Sequence, residues 1–341
     1  MGLDPFLQAF TDKVPFLQVF AQRIRTGELA PNGNPIRARS VEDYVRFVGQ
    51  TFLHMGADDP RLNTAGNIDF RIQRTIAAWK KEDPPPRRVK PVPISVIRHI
   101  AYLSQRSNPT NTQYQAIADM IIIAFFFLLR PGEYVDNNTE STPFRLEDVQ
   151  LFIGDTRLSL TDAPILQLQQ ARFASLTFTT QKNGVRGEVI GLACSGDPFI
   201  CPVKAIIRRV SYLRANNAPP DTPLARLFNT RSRVTAASIS QVLRDAVEFL
   251  GPSTLGFLPS DVSARCLRAA GATALLLARV DTDIISLIGR WRSDEMLRYL
   301  HIQAYPLMRD YSPRMLNDQD SWSLKIKILQ ESQPTLRFTL L

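Results

Sequence analysis

Length, composition and charge limit what this chain can be. It has 341 residues, 44% of them apolar, and a formal net charge of +9. A chain of this length exceeds one ordinary hydrophobic core and predicts two domains. Its longest apolar run, residues 121–129, is far shorter than the roughly 20 residues that span a bilayer, so no membrane partner is expected. The positive charge fits a polyanionic partner, although basic proteins that never contact nucleic acid are equally common.

Cysteine and histidine content argues against two further classes. The three cysteines, Cys194, Cys201 and Cys266, include no CxxC pair, so neither a disulfide framework nor a zinc site is expected. With only three histidines, metal catalysis is also disfavoured. The N-terminus lacks the basic and then apolar layout of a secretion signal, so we expect an intracellular protein.

A proline-rich segment predicts the domain boundary. Five of the twelve residues 82–93 are proline, which forbids a continuous helix and favours an extended linker, assigned to 83–92. Before it, apolar spacing predicts a small helical bundle in domain 1–82, with helices at 6–24, 41–53 and 68–79. Ser40 is the expected N-cap of the second helix. The other face of that helix carries Arg37, Arg39 and Arg46, which either contact DNA or form a solvated surface.

The remaining chain predicts a mainly α domain with a small antiparallel sheet, an α+β layout. Strands are expected within 149–160 and 176–192, the latter interrupted by Asn183–Gly184, a strong hairpin signal. Helices are predicted around this sheet, at 94–103, 115–129, 203–216, 238–250, 263–278, 282–288 and 294–304.

One candidate catalytic residue, Arg130, precedes the predicted sheet, and a second, Lys182, lies in its hairpin. Arg130 follows nine apolar residues and precedes Pro131, and its planar guanidinium suits two phosphate oxygens, with Glu133 orienting it. Taken alone, an arginine there is more often explained by the negative end of a helix dipole. Lys182 precedes the hairpin turn and could protonate a departing alkoxide, although a lysine at a hairpin tip usually just faces solvent.

Further candidates lie in the last third of the chain. Arg265 and Arg268 stand three residues apart and are expected to share one face of a helix rich in small residues. Arg290 and Trp291 follow Gly289, which is expected to end a helix, and Tyr299 lies in the next predicted helix. In isolation, a helical tyrosine with apolar neighbours is more often part of a core than a nucleophile.

Together and in this order, these residues resemble the catalytic set of the tyrosine recombinase, or phage integrase, family. The segments LLRPGEY, QKNG, SARCLRAAGATALL and GRWRSDEMLRYLH look most similar to the eukaryotic mobile-element branch, of the DIRS and Crypton kind. The resemblance covers a catalytic domain at 93–305. It reaches the N-terminal bundle only by architecture, as a core-binding domain.

The resemblance implies strand exchange on double-stranded DNA without metal, nucleotide or other cofactor. Tyr299 would attack a phosphate to form a 3′-phosphotyrosine, Arg130 and Arg268 would bind the non-bridging oxygens, and Lys182 would be the general acid. Tyr305, just before a proline, is a weaker candidate nucleophile. The resemblance also implies a tetramer on paired DNA sites, with the tail 306–341 docking on a neighbouring protomer, and residence in the nucleus.

Two positions depart from the family pattern. Arg265 stands where histidine or lysine is usual, and an arginine can hardly exchange a proton near neutrality. Arg290 occupies the slot where the family places histidine or tryptophan, with Trp291 adjacent, and the sequence does not choose which of the two contacts the phosphate.

The predicted linker carries three basic residues. Linker residues Arg87, Arg88 and Lys90 are expected to follow the DNA backbone as the two domains close around a duplex. The alternatives are a recombinase-derived DNA-binding protein that has lost catalysis and a type IB topoisomerase that relaxes supercoils.

Overall fold

The chain forms two compact units. The computed structural model describes residues 10–85, 90–106, 112–135, 143–179, 186–228 and 233–291. The units are Met1–Arg88 and Val89–Leu341. The division falls inside the segment for which a linker is predicted, while the outer limits of the predicted domains stay predictions.

The first unit is a three-helix bundle. Its helices are α1 (Val14–Thr26), α2 (Ala38–His54) and α3 (Phe70–Glu82), and each packs against the other two. Apolar residues at helical spacing bury one face of each helix and form the core, which contains Val14, Leu17, Ala21, Ile24, Val41, Val45, Ile72 and Ile76. The predicted helices are present with shifted ends.

One predicted helix start is wrong. Helix α2 begins at Ala38, so Ser40 lies inside the helix and Arg37 is the N-cap residue. The reason is a contact from far along the chain: Oδ2 of Asp83 accepts a hydrogen bond from the backbone N–H of Ala38 at 2.8 Å. The other oxygen of Asp83 accepts from Arg25. A carboxylate at the end of α3 therefore satisfies the start of α2 and ties it to α1, which no local capping rule anticipates.

The second unit is mostly helical, as expected. Its helices are α4 (Ile94–Arg106), α5 (Thr112–Phe126), α6 (Pro131–Tyr134), α7 (Ile165–Gln169), α8 (Pro202–Ala215), α9 (Ala236–Leu250), α10 (Pro252–Leu255), α11 (Cys266–Leu277) and α12 (Thr282–Gly289). Among the described helices of both units, none combines the length and apolar character needed to cross a membrane. The helix predicted at 294–304 lies outside the described residues.

The embedded sheet has the expected antiparallel form. Its strands are β1 (Val149–Ile153), β2 (Thr156–Arg157), β3 (Phe173–Phe178) and β4 (Glu188–Ala193), in the spatial order β2-β1-β3-β4. Strands β3 and β4 pair from Phe173 opposite Ala193 to Phe178 opposite Glu188. This is the predicted hairpin, although Lys182 and its turn lie outside the described residues.

Helix α5 is the centre of the second unit. It contacts α4, α8, α9 and α11, and its residues from Ala116 to Phe125 are buried. Close packing with α11 depends on Gly271, because a Cβ there would lie 2.1 Å from the backbone oxygen of Phe125. The last turn of α5 and the middle of α11 are thereby held together, and Arg268, one turn earlier in α11, reaches the Leu128 oxygen two residues before Arg130.

Candidate active site

Arg130 is oriented by Glu133 at the break after α5. Leu128 adopts a left-handed conformation with φ 51°, which turns the chain out of the helix. The backbone N–H of Arg130 then donates to Oε2 of Glu133 at 2.8 Å, and its Nη1 donates to Oε1 at 3.1 Å. The Arg130 side chain remains 30% exposed. Its guanidinium is therefore held in place and still accessible to an anion.

Arg290 points into the protein. It follows α12 in a left-handed conformation with φ 57°, and its side chain is only 1% exposed. Nη2 donates to Oε2 of Glu133 at 2.9 Å, while Nη1 donates to the backbone oxygens of Ile288 at 3.1 Å and Phe127 at 3.3 Å. The guanidinium also lies 3.7 Å from the ring centroid of Phe178. The Arg290 guanidinium is therefore bound to groups inside the protein.

Burial changes the acidity of Arg290 without removing its charge. Loss of solvent, opposed by the charge of Glu133, lowers the pKa of Arg290 to about 10. The guanidinium therefore stays protonated at neutral pH. Its Nε has no hydrogen-bond partner in the part of the chain that the structure describes. Arg290 is a buried cation that depends on Glu133.

Arg268 is also buried, whereas Arg265 is not. Arg268 is 2% exposed, and its two terminal nitrogens donate to the backbone oxygens of Leu128 and Gly289. The ring of Trp291 covers it, with the guanidinium carbon 4.3 Å from the ring centroid. Arg265 is the exposed N-cap residue of α11. The two arginines therefore differ in exposure: Arg265 faces solvent, whereas Arg268 is covered by Trp291.

The position of the Trp291 ring requires glycine two residues earlier, at position 289. A Cβ at Gly289 would meet the Trp291 ring at 1.9 Å, so glycine lets the indole fold back against the end of α12. Trp291, Leu128, Ala272 and Ile285 form a small separate apolar cluster. This cluster places the indole over Arg268.

These contacts join five elements of the fold at one place. The oxygen of Leu128 accepts from Arg268 and, at 3.5 Å, from Arg290, while Glu133 joins Arg290 to Arg130. The end of α5, α6, α11, the end of α12 and β3 all contribute. The structure thus brings together five sequence-predicted residues: Arg130, Glu133, Arg268, Arg290 and Trp291. Lys182 and Tyr299, the predicted acid and nucleophile, lie outside the described residues.

Sequence reasoning missed two members of this cluster. Phe178 supports the buried Arg290, and the backbone oxygen of Leu128 receives both buried arginines. A buried aromatic at the end of a strand carries no sequence signal for this role. Pro131 after the apolar run predicts that the helix ends near Arg130. The sequence does not predict the direction of the Leu128 backbone oxygen.

The first unit has a groove of about 610 Å³ between α2 and α3. Two predicted DNA contacts, Arg39 and Arg46, line it, and both are exposed. Arg61 and Lys80, which sequence reasoning did not select, line it as well. Acidic partners accompany the cations: Arg46 pairs with Asp43 at 2.8 Å, Lys80 with Glu42 at 2.8 Å and Arg61 with Asp59 at 2.6 Å.

The other predicted DNA contacts lie apart from this groove. Arg37 is exposed, and its Nη2 donates to the backbone oxygen of Pro85 at 3.4 Å. Lys90, in the second unit, donates to the backbone oxygen of Gly256 at 3.5 Å. Arg87 and Arg88 lie outside the described residues. Within the described ranges, no group of three or more His, Cys, Asp or Glu side chains is placed to hold a metal ion.

Comparison with known proteins gives the fold. No protein-family model and no curated protein matches the chain. Among solved structures, the Tn1549 transposon integrase in complex with transposon right end DNA has a TM-score of 0.51, at 14% identity over 90% of this chain and 86% of that chain. XerH site-specific recombinase, in a post-cleavage complex with a palindromic difH substrate, has a TM-score of 0.51, at 12% identity over 89% of this chain and 72% of that chain.

The fold is that of the tyrosine recombinases. The expected fold class, mainly helical with a small antiparallel sheet, is confirmed. Identities this low establish the fold alone. The resemblance to the eukaryotic mobile-element branch stays a prediction.

Proposed function

We propose that this chain is a site-specific DNA recombinase that cuts and rejoins strands through a covalent 3′-phosphotyrosine. One observation carries the proposal: a chain of contacts links Arg130, through Glu133, Arg290 and the Leu128 oxygen, to Arg268 and the Trp291 ring, in a fold shared with recombinases solved on DNA. Separately, each of these residues has an ordinary structural explanation. Their convergence from distant parts of the chain favours a single phosphate site.

In the proposed reaction, the exposed cations meet DNA first. Arg130, fixed by Glu133, binds a non-bridging oxygen of the scissile phosphate, and Arg265 adds positive charge at the surface. The terminal nitrogens of Arg268 donate to neutral carbonyls, and an anionic phosphate oxygen is a stronger acceptor than a carbonyl. We infer that Arg268 exchanges one of these partners for the phosphate when DNA binds.

The burial of Arg290 supports a choice between the two neighbours that the sequence left open. Because Arg290 is engaged with Glu133 and two backbone oxygens, we assign the phosphate hydrogen bond to the indole N–H of Trp291. Arg290 then serves as the internal cation that holds Glu133. This assignment gives Trp291 the phosphate contact that the family makes from the slot occupied here by Arg290.

The chemical step uses two residues outside the described ranges. The Tyr299 oxygen attacks phosphorus, the P–O5′ bond breaks, and Lys182 donates a proton to the leaving 5′ oxygen. The phosphodiester energy is kept in the phosphotyrosine bond, so the 5′-hydroxyl of a partner strand can reverse the step. Arg265 does not accept the phenol proton, which passes to water or another side chain, and slow turnover is expected.

A catalytically inactive DNA-binding protein is the second candidate. The burial of Arg268 and the presence of arginine at position 265 both favour it. Assembly as a tetramer on paired sites and residence in the nucleus belong to the first proposal and rest on the family resemblance. In either case the partner is double-stranded DNA.

One experiment separates these functions. Duplexes that bind the full chain are selected from a randomised pool, then synthesised with a nick at successive positions so that a cleaved strand cannot be rejoined. Selected binding followed by a covalent adduct supports the recombinase, and binding without an adduct supports the inactive protein. Failure to enrich any duplex contradicts both. An adduct accompanied by relaxation of supercoiled plasmid, but never by recombinant product, identifies a topoisomerase instead.

A further inference from the structure

Two cysteines flank the loop between the sheet and α8. Strand β4 ends at Ala193 and α8 begins at Pro202, so Cys194 and Cys201 are the first and last residues of the connection. Both are free thiols. Neither has a part in the proposed DNA chemistry, so their own chemistry is independent of that function.

Hydrogen bonds close this loop and bring its ends together. The hydroxyl of Ser195 donates to the backbone oxygen of Ile200 at 2.6 Å, which joins the neighbours of the two cysteines. Inside the loop, Oδ1 of Asp197 accepts from the backbone N–H groups of Phe199 at 2.8 Å and Ile200 at 3.0 Å. The loop is thus a compact turn, and the hydrogen bond between Ser195 and Ile200 brings its two ends, Cys194 and Cys201, to the same base of the loop.

The two thiols have different surroundings. Cys194 is half-buried, its sulfur lies 3.8 Å from the backbone oxygen of Ala171, and the exposed Arg172 guanidinium interacts with it. Cys201 is 1% exposed and is the N-cap residue of α8. A small reagent from solvent can therefore reach the Cys194 thiol, whereas the Cys201 thiol is buried.

Charge is distributed unequally over the pair. Burial opposes ionisation of Cys201, but the favourable effect of the nearby backbone N–H groups of Lys204 and Ser195 outweighs it and lowers the pKa of this thiol. Burial, together with the neighbouring Cys201, raises the pKa of Cys194. Access and charge therefore divide the roles: peroxide reaches Cys194, whose raised pKa makes the first oxidation slow, and the Cys201 thiol, which ionises more readily, is the resolving cysteine.

We propose that Cys194 and Cys201 are a redox-active pair that hydrogen peroxide converts to a reversible disulfide. Cys194 loses its proton beside Arg172, and its sulfur attacks one peroxide oxygen. An S–O bond forms, the O–O bond breaks, and the departing hydroxide takes up a proton as water. The Cys201 thiolate then attacks the sulfenic sulfur, the S–S bond forms, and the second oxygen leaves as water. Two thiols are oxidised and one peroxide is reduced to two waters.

The third cysteine is a control within the same chain. Cys266 is buried at the start of α11 and accepts a hydrogen bond from the backbone N–H of Ser263 at 3.1 Å. Burial raises the pKa of its thiol to about 11. It has the burial of Cys201 without a neighbouring cysteine, so it should remain reduced when the pair is oxidised.

The test treats the full folded chain with rising concentrations of hydrogen peroxide. Remaining thiols are blocked with N-ethylmaleimide, and the chain is digested without reductant for mass spectrometry. We expect joint loss of alkylation at Cys194 and Cys201, a linked fragment lighter by about 2 Da than the two thiols, and full recovery with dithiothreitol. Cys266 should stay alkylatable after unfolding throughout.

Single substitutions complete the test. In Cys201→Ser, Cys194 should accumulate as a sulfenic acid that dimedone traps, whereas in Cys194→Ser the Cys201 thiol should resist peroxide. Three results would overturn the proposal: oxidation of all three cysteines at the same peroxide concentration, dimedone trapping of Cys194 in the unsubstituted chain without a disulfide, or a link that involves Cys266.

Discussion

Arg290 donates to Oε2 of Glu133 at 2.9 Å, and the same carboxylate binds Arg130 through its other oxygen at 3.1 Å. The buried cation and the exposed one therefore share a single anion. The Arg290 side chain is 1% exposed, so loss of the Glu133 charge would leave it buried without a counter-charge. The Arg130 side chain is 30% exposed, so solvent would compensate its charge.

Removing the shared anion should cost more stability than removing either cation. Glu133→Gln leaves Arg290 buried and without its counter-charge, so the free energy of unfolding should fall by about 3 kcal/mol. Arg290→Met leaves Glu133 paired with Arg130 and should cost about 1–2 kcal/mol. Arg130→Met, which changes an accessible side chain, should cost less than about 1 kcal/mol. Urea unfolding of the three variants measures this order, and a Glu133 variant as stable as the Arg130 variant would contradict it.

The indole N–H of Trp291 should contribute to the rate of adduct formation. Trp291→Phe keeps an aromatic ring over Arg268 but removes the indole N–H, so the rate of adduct formation should fall about 10–100-fold at nearly unchanged stability. The rate is measured on a selected nicked duplex, with the free energy of unfolding measured in parallel. If Trp291→Phe reacted at the normal rate, the hydrogen bond to the phosphate would not come from its indole N–H.

Gly271 tests the close packing of α11 on α5. Alanine normally favours a helix over glycine by about 1 kcal/mol. Here its Cβ would lie 2.1 Å from the backbone oxygen of Phe125, so Gly271→Ala should instead destabilise the second unit by about 2 kcal/mol or more. Gly49→Ala in α2 is a matched control, because a Cβ there would meet side-chain atoms of the Arg61–Asp59 ion pair and not backbone. Thermal unfolding should show the larger loss at Gly271, and equal losses would argue against this packing.

The groove between α2 and α3 should contribute to DNA affinity through charge. Replacing Arg39 and Arg46 with alanine should weaken binding to any duplex and reduce the slope of log affinity against log salt by about 1 for each phosphate that is no longer neutralised. Arg23→Ala is the control, since Arg23 is an exposed arginine of α1 paired with Glu28. Binding isotherms at several salt concentrations decide the point. If the control lowered the slope equally, only net charge would matter and the groove would have no special role.

Local patterns in the sequence predicted most elements but not the contacts that complete the site. Apolar spacing and the Asn183–Gly184 signal anticipated the longer helices and the pairing of β3 with β4, but not the short helices α6, α7 and α10. The start of α2 depends on Asp83, 45 residues away, and the role of Arg290 depends on Glu133, 157 residues away. Such contacts arise only when the chain is packed.

The arginines of α11 show the same limit on a smaller scale. A separation of three residues predicted a common face for Arg265 and Arg268, but the two side chains differ in exposure. Arg265 is exposed as the N-cap residue, and Arg268 is buried under Trp291. Residue type and spacing were sufficient to identify the candidates, whereas their exposure was decided by the tertiary contact with Trp291.

The central claim is that Tyr299 forms a covalent bond to DNA. The most direct measurement traps the chain on a selected nicked duplex, digests the DNA and the protein, and locates the nucleotide remnant by mass spectrometry. We expect a phosphonucleotide on the peptide that carries Tyr299, lost in Tyr299→Phe and retained in Tyr305→Phe. A remnant on Tyr305, an adduct that survives Tyr299→Phe, or binding without any adduct would contradict it.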